Sequence, residues 1–508
     1  MGSSSDTSPE PGWRPRDRSL GHGIRWSFVN TVVTRLTGIL VTMIVVRIVT
    51  PKDFGTFAVA LVVYTIAAGL SELGLSVAIV RRSIDFARGT PVVSALSIVS
   101  GVLGAALMLC LSGPLATTLG APAAAPAIRL MSVGLLISAV TAVPTALLVR
   151  DFRQGRIFAA TSIAFIPSNL VLILLALHGD GAMAFAWSRI VGLAVSATVV
   201  IAGAWPWPIP RWERALAKEI LVLGLPMAGA NFINYALLNA DSVLIGATLG
   251  PAALGIYTLA FNVASWSTSI IGGTINGVAL PALAAIRREP PQLRLQLSRW
   301  TSLTALIALP IAAVTIVLSP QLIRVLYGSR WDAAAPVLSI LSIYGGIFAL
   351  TLFLSNLLVA IGRTVTVLFI QITWFLALVG AIYLGVNLAG VRGAAVAHVA
   401  VIALIIVPTY LWAIRRYIDG APYLLLKAVA IPLLIALGSG GAAYLSSWVV
   451  TGAFWRLLLG GFTGGLVWVT LGIPVVFRLG PPTASAWLRP VMRIYPRRLL
   501  WNAEESDQ

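Results

Sequence analysis

Only 10% of the 508 residues in this sequence are charged, and several of those few lie inside long apolar runs where an ion is costly to keep. Arg35 sits in VNTVVTRLTGILVTMIVV, roughly 11 residues into a run that opens near residue 24, or about 16 Å at 1.5 Å per residue. A guanidinium at that depth can grip two oxygens of an anion at once, or hold a neighbouring helix through an ion pair or hydrogen bond. Arg25 opens the same run and also suits an interfacial anchor, while Arg189 lies inside a later run, AMAFAWSRIVGLAV. Asp241 is the sole acid of the run NFINYALLNADSVLIGATLG. A carboxylate there can take up a proton or a sodium ion, close a gate by pairing with an arginine, or serve as a structural hydrogen-bond acceptor. Glu72 has the same choices, with structural use favoured. Asn231, Asn234, Tyr235 and Asn262 bring uncharged polar groups, but asparagines also join membrane helices, at roughly 0.6–2 kcal/mol each. One cysteine, Cys110, and three scattered histidines, His22, His178 and His398, make no ligand cluster, so no metal or cofactor is expected.

The elements that carry these side chains must live in lipid. Apolar residues make up 58% of the chain and the mean hydropathy is +0.93, whereas soluble domains carry about 25% charged residues. The net charge of +18 does not point to nucleic acid, because the arginines lie in short clusters between apolar runs and no basic soluble domain is long enough to fold alone. With about 20 apolar residues needed per crossing, turn residues and charges divide the chain into fourteen spans. Residues 24–205 hold spans 1–6, at 24–49, 54–80, 90–112, 126–149, 156–177 and 181–205. A linker at 206–218 follows. Spans 7–12 occupy 219–249, 252–281, 296–318, 333–361, 364–388 and 391–414, and a last pair lies at 423–447 and 454–478. Segments 1–23 and 479–508 read as a disordered tail and a basic tail. If the N-terminus is cytoplasmic, so are the arginine clusters at 81–88, 150–156, 211–218, 287–299, 415–427 and 478–498. The outside then holds only Arg47, Lys52, Arg324, Arg330, Arg392 and Arg456, an asymmetry that places both termini inside.

The chain repeats itself. PKDFGTF at 51–57 matches PAALGIY at 251–257, and AAAP at 123–126 recurs at 333–336. Leu147-Leu148-Val149 recurs as Leu357-Leu358-Val359, and the Gly- and Ala-rich stretch at 181–186 resembles that around Gly393. Six helices separate the copies, and six is even, so two six-helix lobes should be related by a pseudo-twofold axis along the membrane normal. Thr31, Thr34, Arg35, Gly38 and Thr42 form a polar stripe at helical spacing, matched in the second copy by Asn231, Asn234, Tyr235, Asp241 and Ser242. These stripes are expected to flank a shared cavity.

At RIVTPKDFG (47–55), ELGLSVAIVR (72–81), DSVLIG (241–246) and LGIY (254–257) the chain resembles polysaccharide transporters of the multidrug/oligosaccharidyl-lipid/polysaccharide exporter superfamily, in its Wzx-type branch. The resemblance runs in order over roughly residues 24–416. It implies a multi-pass flippase of the bacterial plasma membrane, working by alternating access on a polyprenyl-diphosphate-linked oligosaccharide. On that reading Arg35, Arg25 and Arg189 would meet the diphosphate, Asn231, Asn234, Tyr235 and Asn262 the sugars, and Asp241 and Glu72 would serve coupling to protons or sodium, or gating. Membrane lipids, and a glycosyltransferase or polymerase complex, are the partners it implies. Competing readings are a cation-coupled drug exporter, a lipid II flippase, a membrane-embedded glycosyltransferase or polymerase, and a silent scaffold. The enzyme reading finds no metal-binding acid pair, nucleophile elbow or phosphate-binding glycine loop.

Overall fold

Lipid offers backbone amides no partner, so a chain of this composition has to satisfy its N–H and C=O groups within helices. The computed structural model describes residues 38–72, 86–205, 209–274 and 290–479, apart from 39 and 152. Among the described residues no strand occurs. The expected first span enters only at its end, helical over 40–48. Then follow α1 (Pro51–Ser71), α2 (Phe86–Cys110), α3 (Ala125–Arg150), α4 (Gln154–His178) and α5 (Ala182–Gly203). The second half has α6 (Arg214–Leu238), α7 (Ala240–Thr274), α8 (Pro290–Leu326), α9 (Ala334–Ala360), α10 (Thr364–Val401) and α11 (Val407–Ile414). The last pair is α12 (Ala421–Val449) and α13 (Ala453–Leu479).

Twelve stretches among the described residues are long and apolar enough to cross a membrane. One of them, Thr364–Ile414, crosses twice, because the helix turns back at Ala389 and Gly390 and the bare backbones of Gly385 and Gly393 meet across the turn. Together with the span that ends at Val49, this is the expected all-α, fourteen-span membrane fold. One expected span departs from a single rod. Residues 219–249 break at Asn239, where α6 ends and α7 begins. The Asn239 amide donates to the Tyr235 carbonyl at 2.7 Å and its backbone leaves helical geometry (φ −118°, ψ 6°).

The two copies meet at the end that the arginine distribution assigns to the outside. Thr50 caps α1, its hydroxyl accepting from the Asp53 N–H at 3.2 Å, and Pro51 supplies the first helical position. In the second copy Gly250 (φ 78°) makes the turn and Pro251 restarts the helix. These two helix starts cross on glycine. A Cβ on Gly55 would run into the carbonyl of Pro251, and a Cβ on Gly255 would run into the carbonyl of Pro51. The contact is reciprocal, as a twofold axis requires.

Around the crossing lies one core drawn from both lobes. Phe54 packs edge-on against Phe185 and Trp331, with ring centroids 5.5 and 5.8 Å away, and Ile245, Leu254 and Leu338 complete it. The Trp331 indole donates to the Val46 carbonyl at 2.9 Å. Arg47 donates to the carbonyls of Leu326, at 3.1 Å, and Val325, capping the C-terminus of α8. Among the described residues the cores at the opposite end are separate. Val92, Leu96 and Leu147 hold Ile220 of α6 in one, while Leu297, Phe353, Leu357 and Ile414 fill the other. The inner length of α6 therefore rests on the first lobe, and the break at Asn239 lets the chain enter the second. The last helix pair docks on α8 through Ser302 to the Ala428 carbonyl and Trp468 to the Leu306 carbonyl, each at 2.7 Å.

Because an added methyl at the crossing meets backbone carbonyl, Gly255→Ala should destabilise the detergent-solubilised protein by about 1–3 kcal/mol, the usual cost of overpacking. Gly441→Ala, where nothing lies within 4 Å, is the control and should leave the thermal midpoint unchanged or higher. Equal effects from the two substitutions would remove the crossing as a structural constraint.

Candidate functional site

The second helix of the broken span begins at Ala240, so Asp241 falls in the first turn of α7, where free N–H groups favour an anion. The residue is buried, 8% exposed, and both carboxylate oxygens are engaged. Oδ1 accepts from the Ser242 N–H at 2.7 Å and more weakly from its hydroxyl at 3.4 Å, and Oδ2 accepts from the Tyr257 hydroxyl at 2.7 Å. His398 completes the group from α10. Its Nε2 lies 3.8 Å from Asp241 Oδ2 and 3.5 Å from the Tyr257 hydroxyl, and its Nδ1 lies 3.1 Å from the Ala394 carbonyl. A carbonyl can only accept, so this network assigns the neutral ring's proton to Nδ1 and leaves Nε2 facing the carboxylate. Tyr344 abuts the imidazole edge-on at 5.0 Å and Phe261 flanks it at 6.0 Å, which keeps the cluster dry. One turn beyond His398 the helix widens into a π segment at Ile402–Ile406, followed by Pro408. Proline lacks the N–H that would close the regular turn, and such bulges often mark functional sites.

The other expected residues divide. Arg25 and Arg35 lie outside the described residues. Arg189 is exposed to the surroundings of the helix, its guanidinium 5.1 Å over the Tyr64 ring, whose hydroxyl meets Ser138 at 3.2 Å. Glu72, at the end of α1, and Tyr235, on α6, come together on one cavity of about 610 Å³ between α1, α2, α3 and α6. Asn234 and Asn262 are exposed and Asn231 is half-buried; none of these three lines that cavity. The continuous polar stripe expected over 231–242 does not form, because the break at Asn239 separates its members. Tyr235 faces the first lobe, its ring against the backbone of Gly69, whereas Asp241 points into the second. Among the described residues the ionic partner of Asp241 is His398 of its own lobe. Sequence reasoning left Tyr257 and His398 out of the site. Tyr257 sat in the repeated motif, but no local spacing links it to a histidine 141 residues on.

These features define a class: a two-lobed, multi-pass helical membrane protein with a buried carboxylate–phenol–imidazole cluster in one lobe. Known proteins make the assignment specific. A family described as "Polysaccharide biosynthesis protein" matches residues 44–336, more than half of the chain, and the chain belongs to that family. The succinoglycan biosynthesis transport protein ExoT of Rhizobium meliloti (strain 1021) is 26% identical over 415 residues, covering 80% of this chain and 82% of that protein. The lipopolysaccharide biosynthesis protein WzxC of Escherichia coli (strain K12) is 22% identical, covering 86% and 89%. Among solved structures, the lipid II flippase MurJ in its inward closed conformation has a TM-score of 0.74 at 15% identity, over 92% of this chain and all of that one. An inward-facing multidrug resistance transporter of the MATE family has a TM-score of 0.55 at 18% identity, over 78% of this chain and 96% of that one. Both confirm the fold.

Removing the phenol proton donor leaves a buried carboxylate oxygen short of a partner. Tyr257→Phe should therefore cost about 1–3 kcal/mol of stability, read as a lower thermal midpoint in detergent. Asp241→Asn/Tyr257→Phe together should cost less than the sum of the single changes. Additive losses would mean that the two side chains do not act on one another.

Proposed function

We propose that this chain is a flippase that carries a polyprenyl-diphosphate-linked oligosaccharide from the cytoplasmic to the outer leaflet of the bacterial plasma membrane. It acts as a carrier rather than a catalyst, with both termini in the cytoplasm, for assembly of a cell-envelope polysaccharide. Membership of the polysaccharide biosynthesis family, in a two-lobed fold joined across one end, is the observation that carries this reading. Such a fold alternates when the lobes part at the joined end and close at the other. The substrate's diphosphate needs cations along a route through hydrocarbon. Arg35, with Arg25 and Arg189, is the set proposed to meet it. Asn231, Asn234, Tyr235 and Asn262 are proposed for the sugars, and Glu72, which shares a cavity with Tyr235, for gating.

The Asp241 cluster is proposed as the coupling element, and its donor set favours a proton over sodium. Sodium needs oxygen lone pairs turned toward it, but the oxygens of Asp241 already receive an N–H and an O–H, and an imidazole nitrogen stands at the remaining approach. A carboxylate beside a neutral imidazole carries one negative charge. Uptake of one proton neutralises the pair, either as carboxylate and imidazolium or as acid and imidazole. A change of one charge in a dry core is large enough to bias two packings of the lobe.

In proteoliposomes, a fluorescent polyprenyl-diphosphate disaccharide added inside-leaflet first should become accessible outside only with the protein present. Translocation should rise with an imposed proton gradient and ignore a sodium gradient. Asp241→Asn and His398→Ala should each abolish the response to the proton gradient. Arg35→Ala should abolish translocation itself while folded protein remains in the membrane. Unchanged proton dependence in Asp241→Asn would remove the coupling role, and full transport by Arg35→Ala would remove Arg35 from the path.

A further inference from the structure

Five exposed cations crowd one end of the second lobe, the end that the arginine distribution assigns to the cytoplasm. We propose that they form a binding site for the phosphodiester headgroup of an anionic membrane phospholipid, one that stays with the protein and is not the molecule carried. The site stands whether or not the chain is a flippase.

The patch is built where helix ends meet. α11 finishes at Ile414, and the turn after it carries Arg415 and Arg416 before α12 begins at Ala421. Arg363 immediately precedes α10, and its guanidinium lies over the Tyr417 ring, 4.5 Å from the centroid. From α8, the Arg294 guanidinium comes within 3.6 Å of where a Cβ on Gly420 would stand. Lys427 lies in the second turn of α12. Beneath them Leu293, Leu358, Ile418 and Leu425 belong to one buried cluster, so the cations share a common base. Asp419 is the one acid in the stretch from Arg415 to Lys427.

These arginines are held unlike those elsewhere in the fold. At the end assigned to the outside, Arg47, Arg330 and Arg456 donate to carbonyls and Arg324 pairs with Asp332 at 3.6 Å. In the first lobe Arg156, in the first turn of α4, donates to the Gly203 carbonyl. Arg363 and Arg416 have no such acceptor among the described residues. Each sits over an aromatic ring instead, Arg416 at 3.6 Å from the centroid of Trp412. A guanidinium held by a ring is positioned in advance, and its N–H donors remain for an anion from outside. Two phosphate oxygens fit that fork at once. The surroundings select a phospholipid. Trp412, Tyr417 and Tyr423 are exposed near the helix ends, as aromatic side chains are at the headgroup level of a membrane. Two turns before Trp412, Leu404 and Ile405 are exposed as well and offer an apolar wall to an acyl chain. Cations, aromatic belt and apolar wall follow one another as headgroup, glycerol and chain do in a lipid. The excess of cations complements an anionic headgroup, which a zwitterionic one does not match.

The test takes the full chain, stripped of lipid in a neutral detergent, and follows its thermal midpoint. Added phosphatidylglycerol should raise the midpoint in a saturable way, while phosphatidylcholine and the chainless headgroup glycerol 1-phosphate should not. Arg363→Gln/Arg416→Gln should weaken the apparent affinity for phosphatidylglycerol at least several-fold. Arg392→Gln, at an exposed arginine of the other end, should leave it unchanged. Arg415→Gln/Lys427→Gln carries the same expectation as the first pair and serves should that pair fail to fold. Tyr417→Leu keeps every charge but frees Arg363, and it should also weaken binding. An equal shift from phosphatidylcholine or from glycerol 1-phosphate overturns the site, as does full affinity in the variants of the patch. Farnesyl diphosphate is the last probe. If it displaces phosphatidylglycerol at lower concentration than phosphatidylglycerol itself binds, the patch receives a lipid diphosphate and the proposal falls.

Discussion

Two helix starts cross with no side chain between them, and most of the architecture follows from that contact. Gly55 and Gly255 each face the carbonyl of the proline that opens the other helix. Only glycine allows backbones to approach so closely, and only a pair related by twofold symmetry makes the contact the same from both sides. The crossing fixes the axis between the lobes and brings Phe54, Trp331, Ile245 and Leu254 into one core. It also positions the ends of neighbouring helices, so that Arg47 can reach the last carbonyls of α8 and Trp331 can reach Val46. Lobes that share a core at one end can part there only by giving up that shared packing, while the separate cores described at the other end stay whole.

The scaffold is duplicated but the chemistry is not. Positions equivalent to Asp241 and Tyr257 at the 200-residue offset are Val41 and Phe57. Val41 packs with Leu172, Ala176 and Ala184 in a purely apolar cluster, and Phe57 stacks on Phe185 at 5.0 Å. At the 210-residue offset Ser188 stands where the second lobe has His398, and its hydroxyl bonds to the Ser168 carbonyl. One lobe thus carries an ionisable interior and the other an oil-like one in the same place. Conversely, the cavity that Glu72 and Tyr235 share lies on the first lobe.

Much of this was legible in the sequence because it is local or periodic. Span boundaries follow from runs of apolar residues cut by Gly, Pro and Arg, and the repeat shows as short matches such as those opening at Pro51 and Pro251. What was hidden depends on contacts between distant residues. His398 is a single histidine in an alanine-rich helix, and its sequence neighbours give no hint of Asp241. Asn239 interrupts a helix without proline or glycine, and its amide bond to the Tyr235 carbonyl does not account for this, since Asn169 and Asn356 make the same bond inside unbroken helices. The polar stripe was a sound helical inference that failed at that one residue. Beyond it, the same spacing points the next carboxylate into a different lobe.

The break at Asn239 then becomes the most economical link between the two chemistries. Upstream of it, α6 lies on the first lobe and puts Tyr235 over Gly69; downstream, two residues away, Asp241 is bonded to Tyr257 and faces His398 in the second. A rearrangement of the cluster on protonation must act on the first turn of α7, since Asp241 holds the Ser242 N–H of that turn. The backbone that would absorb it is Asn239, which is already non-helical, although its carbonyl still accepts from the Val243 N–H at 2.9 Å. Tyr235, against the first lobe, and Asp241, bonded within the second, are thus only six residues apart in the chain.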